Sequence, residues 1–209
     1  MQIVPTPQRP HKKWAAPNEL SDFTRRVPTF RTRKQEEYES KVAARLVRLW
    51  DEEHNPKALI DYFAKEAPRL CNPTYWELMR TVWVAAGSTE TAPLFRRLMS
   101  SSRPARSWFM TVEDAKFLAD MPDTFRVWRA VNPKYALYED DEIDDWCGIP
   151  EEQTNLTDED DPGISWTIDL DWCRKYALST HRIIKAKTVR KCDVFAYVSR
   201  RGESEMIIL

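Results

Sequence analysis

The stretch Phe125–Val131, FRVWRAV, marks the point at which the residue pattern of the chain changes. Its apolar and polar side chains alternate as they do on a strand with one buried face. Before it, apolar side chains recur at helical spacing, and after it further strand-like segments follow. This order of elements predicts an α+β fold, in which a helical N-terminal region is followed by a β core.

Helical spacing before that stretch predicts five helices. They cover residues 34–53, 57–68, 72–87 and 90–101, and a short segment from Thr111 to just before Pro122. Asn72 is the expected N-cap of the third helix, because Pro73 would then occupy the first turn, which tolerates a missing N–H group. The Trp, Leu and Phe stripes of these helices are interpreted as core, since helical spacing alone predicts one buried face.

The segments that follow predict a mixed, mostly antiparallel sheet. Strands are expected at residues 125–131, 164–168, 182–189, 194–198 and 204–209, with one helix at about 169–178. The connections are too short for repeated crossover helices, which favours antiparallel pairing. The sequence is therefore divided into a basic, Pro-rich extended arm at 1–33, a helical region at 34–121 and a region at 122–209 that carries the strands.

Charge is strongly segregated along the chain, although its net value is only −1. Arg, Lys and Pro are frequent in the arm, whereas residues 139–162 carry only acidic charges. A basic arm could contact nucleic acid or an acidic partner, and an acidic segment could recruit basic proteins. Both segments could equally be solvated polymer without a partner.

Composition argues against several functional classes. No window holds the roughly 18 apolar residues that a membrane helix needs, and the first residues lack an apolar signal core, so we expect a cytoplasmic protein without membrane partners. The four cysteines form no CxxC pair, and together with three histidines they indicate no metal site. Four scattered glycines provide neither a P-loop nor a Rossmann fingerprint.

Three short motifs occur in order on or beside the predicted strands. They are Val127-Trp128-Arg129-Ala130, Ser165-Trp166-Thr167 and Glu203-Ser204-Glu205. Each motif alone is common, because a partly solvated strand face alternates in this way. Together they resemble the Arg, Ser-x-Ser/Thr and Glu-x-Glu signature of the mono-ADP-ribosyltransferases whose core triad is Arg-Ser-Glu, a family found among bacterial toxins and bacteriophage proteins. The resemblance covers residues 125–209 and does not extend to the first 121 residues.

The resemblance implies an ADP-ribosyltransferase-like catalytic domain at 122–209, with NAD as the donor of ADP-ribose and no metal. In the family pattern Glu205 is the catalytic carboxylate and Glu203 orients or deprotonates the acceptor, so these two are the expected catalytic residues. The residues expected to bind NAD are Arg129, Ser165, Trp166, Thr167 and Tyr176.

Each residue type suits the chemistry that the resemblance implies. Arg129 offers a permanently charged fork of donors to the anionic half of NAD, or braces the site around it. The Ser165 hydroxyl can orient the catalytic carboxylate, and Glu205 would stabilise the positive charge that develops on the ribose as nicotinamide leaves. The rings of Trp166 and Tyr176 can stack on nicotinamide or shape its pocket.

The resemblance also implies a macromolecular acceptor. Glu at position 203, as opposed to Gln, resembles the arginine-modifying members, so protein arginine is the expected acceptor, in the cytoplasm of a bacterium or of a bacteriophage-infected cell. The basic arm favours nucleic acid as an alternative acceptor, and the acidic segment disfavours it. Water as the acceptor, or a non-catalytic partner-binding protein on the same fold, are further alternatives, and the oligomeric state is left open.

Overall fold

The computed structural model describes residues 32–88, 90–131, 152–153, 163–200 and 203–209. The described residues fall into two compact units, one that ends at Ala115 and one that runs from Lys116 to Leu209. Helices form the first unit and strands dominate the second, which confirms the predicted α+β class. The arm at 1–33, apart from its last two residues, and the acidic segment, apart from residues 152–153, lie outside the described ranges. The predicted division of the chain at residues 33 and 121 stays a prediction.

The helical unit is built from four helices and the start of a fifth. They are α1 (Arg33–Asp51), α2 (Pro56–Glu66), α3 (Asn72–Ala86), α4 (Ala92–Met99) and α5 (Val112–Asp120), and short 3-10 turns lie at Ala67–Arg69 and Arg106–Phe109. Side-chain oxygens of Thr32 and Asn55 accept hydrogen bonds from main-chain N–H groups in the first turns of α1 and α2, which fixes where both helices begin. No helix in the described part of the chain is both long and apolar enough to cross a membrane.

The start of α3 corrects the predicted cap. Asn72 is the first helical residue, and the side chain of Cys71 at the N-cap does not accept a hydrogen bond from a main-chain N–H group of the first turn. Glu39 of α1 makes the hydrogen bonds at this helix start instead. It is 1% exposed, and its carboxylate accepts hydrogen bonds from the Cys71 main-chain N at 2.7 Å and from the Thr74 hydroxyl at 2.8 Å. A carboxylate from a neighbouring helix therefore holds the start of α3 through the Cys71 N–H group and the Thr74 hydroxyl, and local sequence could not reveal that contact.

The second unit holds a sheet of six described strands. They are β1 (Thr124–Val131), β2 (Glu152–Gln153), β3 (Ser165–Thr167), β4 (Ile183–Arg190), β5 (Val194–Arg200) and β6 (Glu203–Ile208), in the order β2-β4-β1-β3-β6-β5. Only β2, which was not predicted, pairs in parallel, with β4; the other described pairs are antiparallel. Helix α6 (Leu170–Ser179) follows β3, and a 3-10 turn at Lys191–Asp193 joins β4 to β5.

The sheet consists of two halves that are joined at a single described residue pair. Strand β1 pairs with β4 along all of its eight residues, from Thr124↔Arg190 to Val131↔Ile183. With β3 it shares the pair Trp128↔Thr167 and no other within the described ranges. Because β3 pairs with β6 and β6 with β5, the strands β2-β4-β1 and β3-β6-β5 diverge on either side of that pair. We call this divergence between β1 and β3 the split.

Each face of the sheet carries a helix. On one face Val127, Trp166, Tyr197 and Met206 form an apolar cluster against α5, whose Phe117 ring stacks on Tyr197 at 4.4 Å between centroids. On the other face α6 packs through Cys173 and Ala177 against Ala130 and Ile184. The period of two along each strand decides which side chains belong to which face.

Candidate active site

The hydroxyl of Ser165 and the carboxylate of Glu205 meet on the face of the sheet that α6 covers. Strands β3 and β6 pair with Thr167 opposite Glu205, so the side chains at 165, 167 and 205 point to the same side. The Ser165 hydroxyl donates a short hydrogen bond to Oε1 of Glu205, across 40 residues of sequence. Glu205 is 5% exposed, so this carboxylate is removed from bulk water and kept in one position.

Arg129 lies in the split. Its Nη1 donates a hydrogen bond of 2.6 Å to the main-chain oxygen of Ser165, 36 residues away in sequence. On β1 it stands one residue beyond Trp128, the residue that pairs with β3, so its guanidinium bonds to β3 where strand pairing is lost. Ser165 therefore contacts Arg129 through its carbonyl and Glu205 through its hydroxyl.

Gly163 is a positioning residue that the sequence analysis missed. A Cβ atom built on Gly163 would overlap Cζ and both terminal nitrogens of Arg129, so the guanidinium occupies the space that any larger residue would need. The available signal was the rarity of glycine in this chain, combined with a position two residues before Ser165. Glycine here is required by a close approach of two groups.

Thr167 shapes the turn beside the site, because its hydroxyl bonds to the main chain that follows it. Its hydroxyl accepts a hydrogen bond of 3.0 Å from the main-chain N of Asp169, and the Asp169 carboxylate in turn accepts one of 2.9 Å from the main-chain N of Trp172. These two bonds end β3 and begin α6 directly beside the Ser165–Glu205 pair. In this structure Thr167 shapes the turn that follows the Ser-x-Thr motif.

The two aromatic residues expected to bind NAD lie in different places. Trp166 is 2% exposed and points to the α5 side of the sheet, away from the Ser165 hydroxyl and Glu205. Tyr176 lies on α6, on the same side as Glu205, with 36% of its surface exposed. Its ring stacks on Trp172 at 5.2 Å and has the Arg182 guanidinium 5.2 Å from its centroid. The structure thus does not bring these two rings together.

Glu203 opens β6, opposite Arg200 of β5. It is two residues from Glu205 along an extended strand, so both carboxylates leave β6 on the same side, and Glu203 is the more exposed of the two. The arrangement therefore presents a buried, hydroxyl-bonded carboxylate, a second carboxylate nearer the solvent and a guanidinium in the split. Such a set can stabilise developing positive charge at one point and hold negative charge at another.

No family model matches this chain, and it matches none of the curated proteins and none of the solved structures with which it was compared. Among the described residues, no group of three or more His, Cys, Asp or Glu side chains is placed to hold a metal ion. The functional interpretation therefore depends on the three motifs and on the geometry given above.

Proposed function

We propose that residues 122–209 form an NAD-dependent mono-ADP-ribosyltransferase that moves ADP-ribose to a macromolecular acceptor, expected to be a protein arginine, and releases nicotinamide. One observation carries the proposal: Ser165 bonds to Arg129 and to Glu205 at the same time. Arg129 and Glu205, which lie 36 and 40 positions from Ser165 in the sequence, thus both contact Ser165 where the sheet divides. The three motifs resemble one family signature, and Ser165 of the second motif contacts one residue of each of the other two.

Glu205 carries the central step of the proposed reaction. The bond between the ribose C1′ and the nicotinamide nitrogen breaks, its electron pair leaves with nicotinamide, and the sugar becomes positively charged. A carboxylate with a fixed position beside the ribose stabilises this state more than the ground state, in which the positive charge lies on the nicotinamide ring, and the low solvent exposure of Glu205 limits screening by water. The Ser165 hydroxyl keeps Oε1 of Glu205 in place, so little reorganisation is needed as charge develops.

The remaining residues suit the two substrates. Arg129 would bind the anionic half of NAD or brace the site around it, because a guanidinium is charged at every physiological pH. Glu203 would hold the acceptor, which attacks C1′ through a nitrogen and loses one proton to a base. A guanidinium acceptor fits two neighbouring carboxylates, since Arg pairs with carboxylates through parallel hydrogen bonds. Tyr176, on the same side of the sheet as Glu205, is the aromatic residue better placed to contact nicotinamide.

The test follows nicotinamide release and the transfer of label from NAD, with and without cell lysate. We expect Glu205→Gln to lower turnover by about 100-fold or more, the usual effect of removing one group that stabilises transition-state charge. The amide is similar in shape and can still accept the Ser165 hydrogen bond, so the fold should persist. Glu113→Gln is the matched control, because Glu113 is exposed in the first turn of α5 and the same chemical change there should leave turnover intact.

The outcomes separate the alternatives. Label on protein that depends on Glu205 would support the proposal. Release of that label by hydroxylamine would then identify an arginine linkage. Label on RNA or DNA alone would move the acceptor to nucleic acid, whereas nicotinamide release without label would indicate water. If the wild-type protein neither releases nicotinamide nor binds NAD at millimolar concentration, the transferase proposal is wrong and a partner-binding role takes its place.

A further inference from the structure

The indole N–H group of Trp128 is a buried hydrogen-bond donor that has no acceptor in the part of the chain that the structure describes. The indole ring packs against the apolar cluster that contains Cys173 and Ala177 of α6, so the ring is held in place. A buried tryptophan N–H group normally finds an acceptor, and leaving it unpaired costs free energy. A ligand that brings an acceptor atom to this group would remove that cost.

The strand register places Trp128 beside the candidate active site. Trp128 lies directly opposite Thr167 of β3, and Thr167 lies directly opposite Glu205 of β6. Residues that face each other across an antiparallel pair share a side of the sheet, so these three side chains form one row on the face that α6 covers. Neighbouring strands are about 4.8 Å apart, so about 10 Å separates the backbones of Trp128 and Glu205. A ligand of the size of nicotinamide riboside can span this row.

Position distinguishes Trp128 from Trp83, whose indole N–H group is also buried and also lacks an acceptor among the described residues. Trp83 belongs to α3 of the helical unit, is 2% exposed and packs edge-on against Phe95 at 4.7 Å, in a core that gives a ligand no access. Trp128 is only partly buried, and it lies in a row with the carboxylate that Ser165 holds. An unpaired indole N–H group alone therefore does not identify a ligand site, whereas one that shares a row with Glu205 points to one.

We propose that the Trp128 indole N–H group donates a hydrogen bond to the carboxamide oxygen of the nicotinamide ring of NAD, an inference that rests on the proposed function. The indole N–H group is neutral and can only donate, so it suits a neutral carbonyl oxygen, whereas the anionic half of NAD suits a guanidinium such as that of Arg129. The carboxamide holds the only carbonyl group of NAD. It belongs to the ring attached to the ribose beside which Glu205 is proposed to lie.

This hydrogen bond would strengthen as nicotinamide leaves. In bound NAD the positively charged ring withdraws electrons from the carboxamide oxygen, which makes that oxygen a weak acceptor. When the bond between C1′ and the ring nitrogen breaks, its electron pair stays with the nitrogen, the ring becomes neutral and the oxygen becomes a better acceptor. An interaction that is stronger in the transition state than in the ground state raises kcat. Trp128 would therefore stabilise the departing group, while Glu205 stabilises the ribose.

The experiment compares NAD with the analogue in which a thioamide replaces the carboxamide, because sulfur accepts hydrogen bonds less well than oxygen. Trp128→Phe keeps an aromatic ring and removes the N–H group. We expect it to lower kcat/KM for NAD about fivefold, mainly through kcat, as for the loss of one neutral hydrogen bond. The ratio of kcat/KM for NAD to kcat/KM for the thioamide should fall by a similar factor, because the wild-type ratio includes this bond. Trp83→Phe is the matched control, since it removes the other buried, unpaired N–H group and should leave that ratio unchanged.

Binding of free nicotinamide separates this proposal from the transferase proposal. Ligand-observed NMR measures the affinities of nicotinamide and thionicotinamide for the wild-type protein and for Trp128→Phe. A preference for nicotinamide that Trp128→Phe abolishes, in a protein that never turns over NAD, would support the hydrogen bond and reject the transferase. Turnover of NAD that depends on Glu205, with an unchanged analogue ratio in Trp128→Phe, would support the transferase and overturn the hydrogen bond.

Two further results would overturn the hydrogen bond. One is a change of the analogue ratio in Trp83→Phe that is as large as the change in Trp128→Phe. The other is a wild-type protein that binds nicotinamide and thionicotinamide equally well, or binds neither. This last measurement needs no variant, so it decides the question even if Trp128→Phe does not fold.

Discussion

Replacement of Gly163 by Ala would place a methyl group in the space now filled by the Arg129 guanidinium. The three atoms nearest to the added Cβ all belong to that guanidinium, and the backbone of Gly163 is not in the left-handed region, so alanine meets no backbone penalty there. The guanidinium must therefore move and lose its 2.6 Å hydrogen bond to Ser165. Loss of a hydrogen bond from a charged donor costs about 1.5–3 kcal/mol, which is the expected fall in the free energy of unfolding. If the transferase proposal is right, kcat/KM for NAD should fall by about 10- to 100-fold.

A double-mutant cycle tests this reasoning directly. Urea unfolding is measured for wild type, Gly163→Ala, Arg129→Ala and the double variant. Once Arg129 is truncated the methyl group has nothing to displace, so Gly163→Ala should then be nearly neutral. The matched control is Gly87→Ala, whose Cβ would lie 2.6 Å from the main-chain oxygen of Trp83 and should cost the same on either background. An equal cost of Gly163→Ala with and without the Arg129 side chain would refute the argument.

Three further changes test other contacts. Ser165→Ala should lower the rate of nicotinamide release about tenfold, because the buried Glu205 carboxylate loses its hydroxyl donor. Ser165→Thr keeps a hydroxyl and should retain most of the rate. Equal losses of rate in the two variants would contradict a role for the hydroxyl. Glu39→Gln should lower the free energy of urea unfolding by about 2 kcal/mol, because the buried carboxylate loses its charge-assisted hydrogen bonds. The control Glu36→Gln, at an exposed position on the same helix, should change it little. Similar values for both variants would show that the Glu39 carboxylate does not hold the start of α3. Hydrogen bonds from Arg190 lower the pKa of the exposed Asp193 carboxyl below 3.8. The small contribution of Asp193 to the free energy of unfolding is therefore present above that pH and is lost as the pH falls through the folded pKa. If wild type and Asp193→Asn still differed in unfolding free energy in stronger acid, this reasoning would be contradicted.

Local patterns predicted most of the elements. The predicted strand at 125–131 is observed at Thr124–Val131, the predicted strand at 194–198 at Val194–Arg200, and the predicted helix at 169–178 at Leu170–Ser179. Apolar periodicity, capping residues and charges within a few positions determine these segments. A single sequence shows all three signals, so the segments could be predicted. Strand β2 escaped prediction because its two residues lie in an acidic segment without alternation.

The position of Trp166 could have been predicted better. Alternation along a strand places it on the opposite face from Ser165 and Thr167, so this pattern favours a ring that points into the core over the NAD-binding role that we expected. The split could not have been predicted in this way. Where β1 stops pairing with β3 depends on contacts between segments far apart in sequence, and no local pattern encodes them. The role of Gly163 follows from the split and was hidden for the same reason.

Arg129 has a structural part in the split beside the part that we propose for it in NAD binding. The two halves of the sheet share one described residue pair, and Arg129 adds a hydrogen bond between them, to the Ser165 carbonyl. A guanidinium has five N–H donors in a planar fork, so one edge can bond to a strand while another faces an anion. A lysine ammonium is a single point charge and would have to abandon one partner to serve the other. In the proposed transferase, binding of the anionic half of NAD and the joining of β1 to β3 would depend on the same side chain, so NAD binding would be linked to the stability of this part of the sheet.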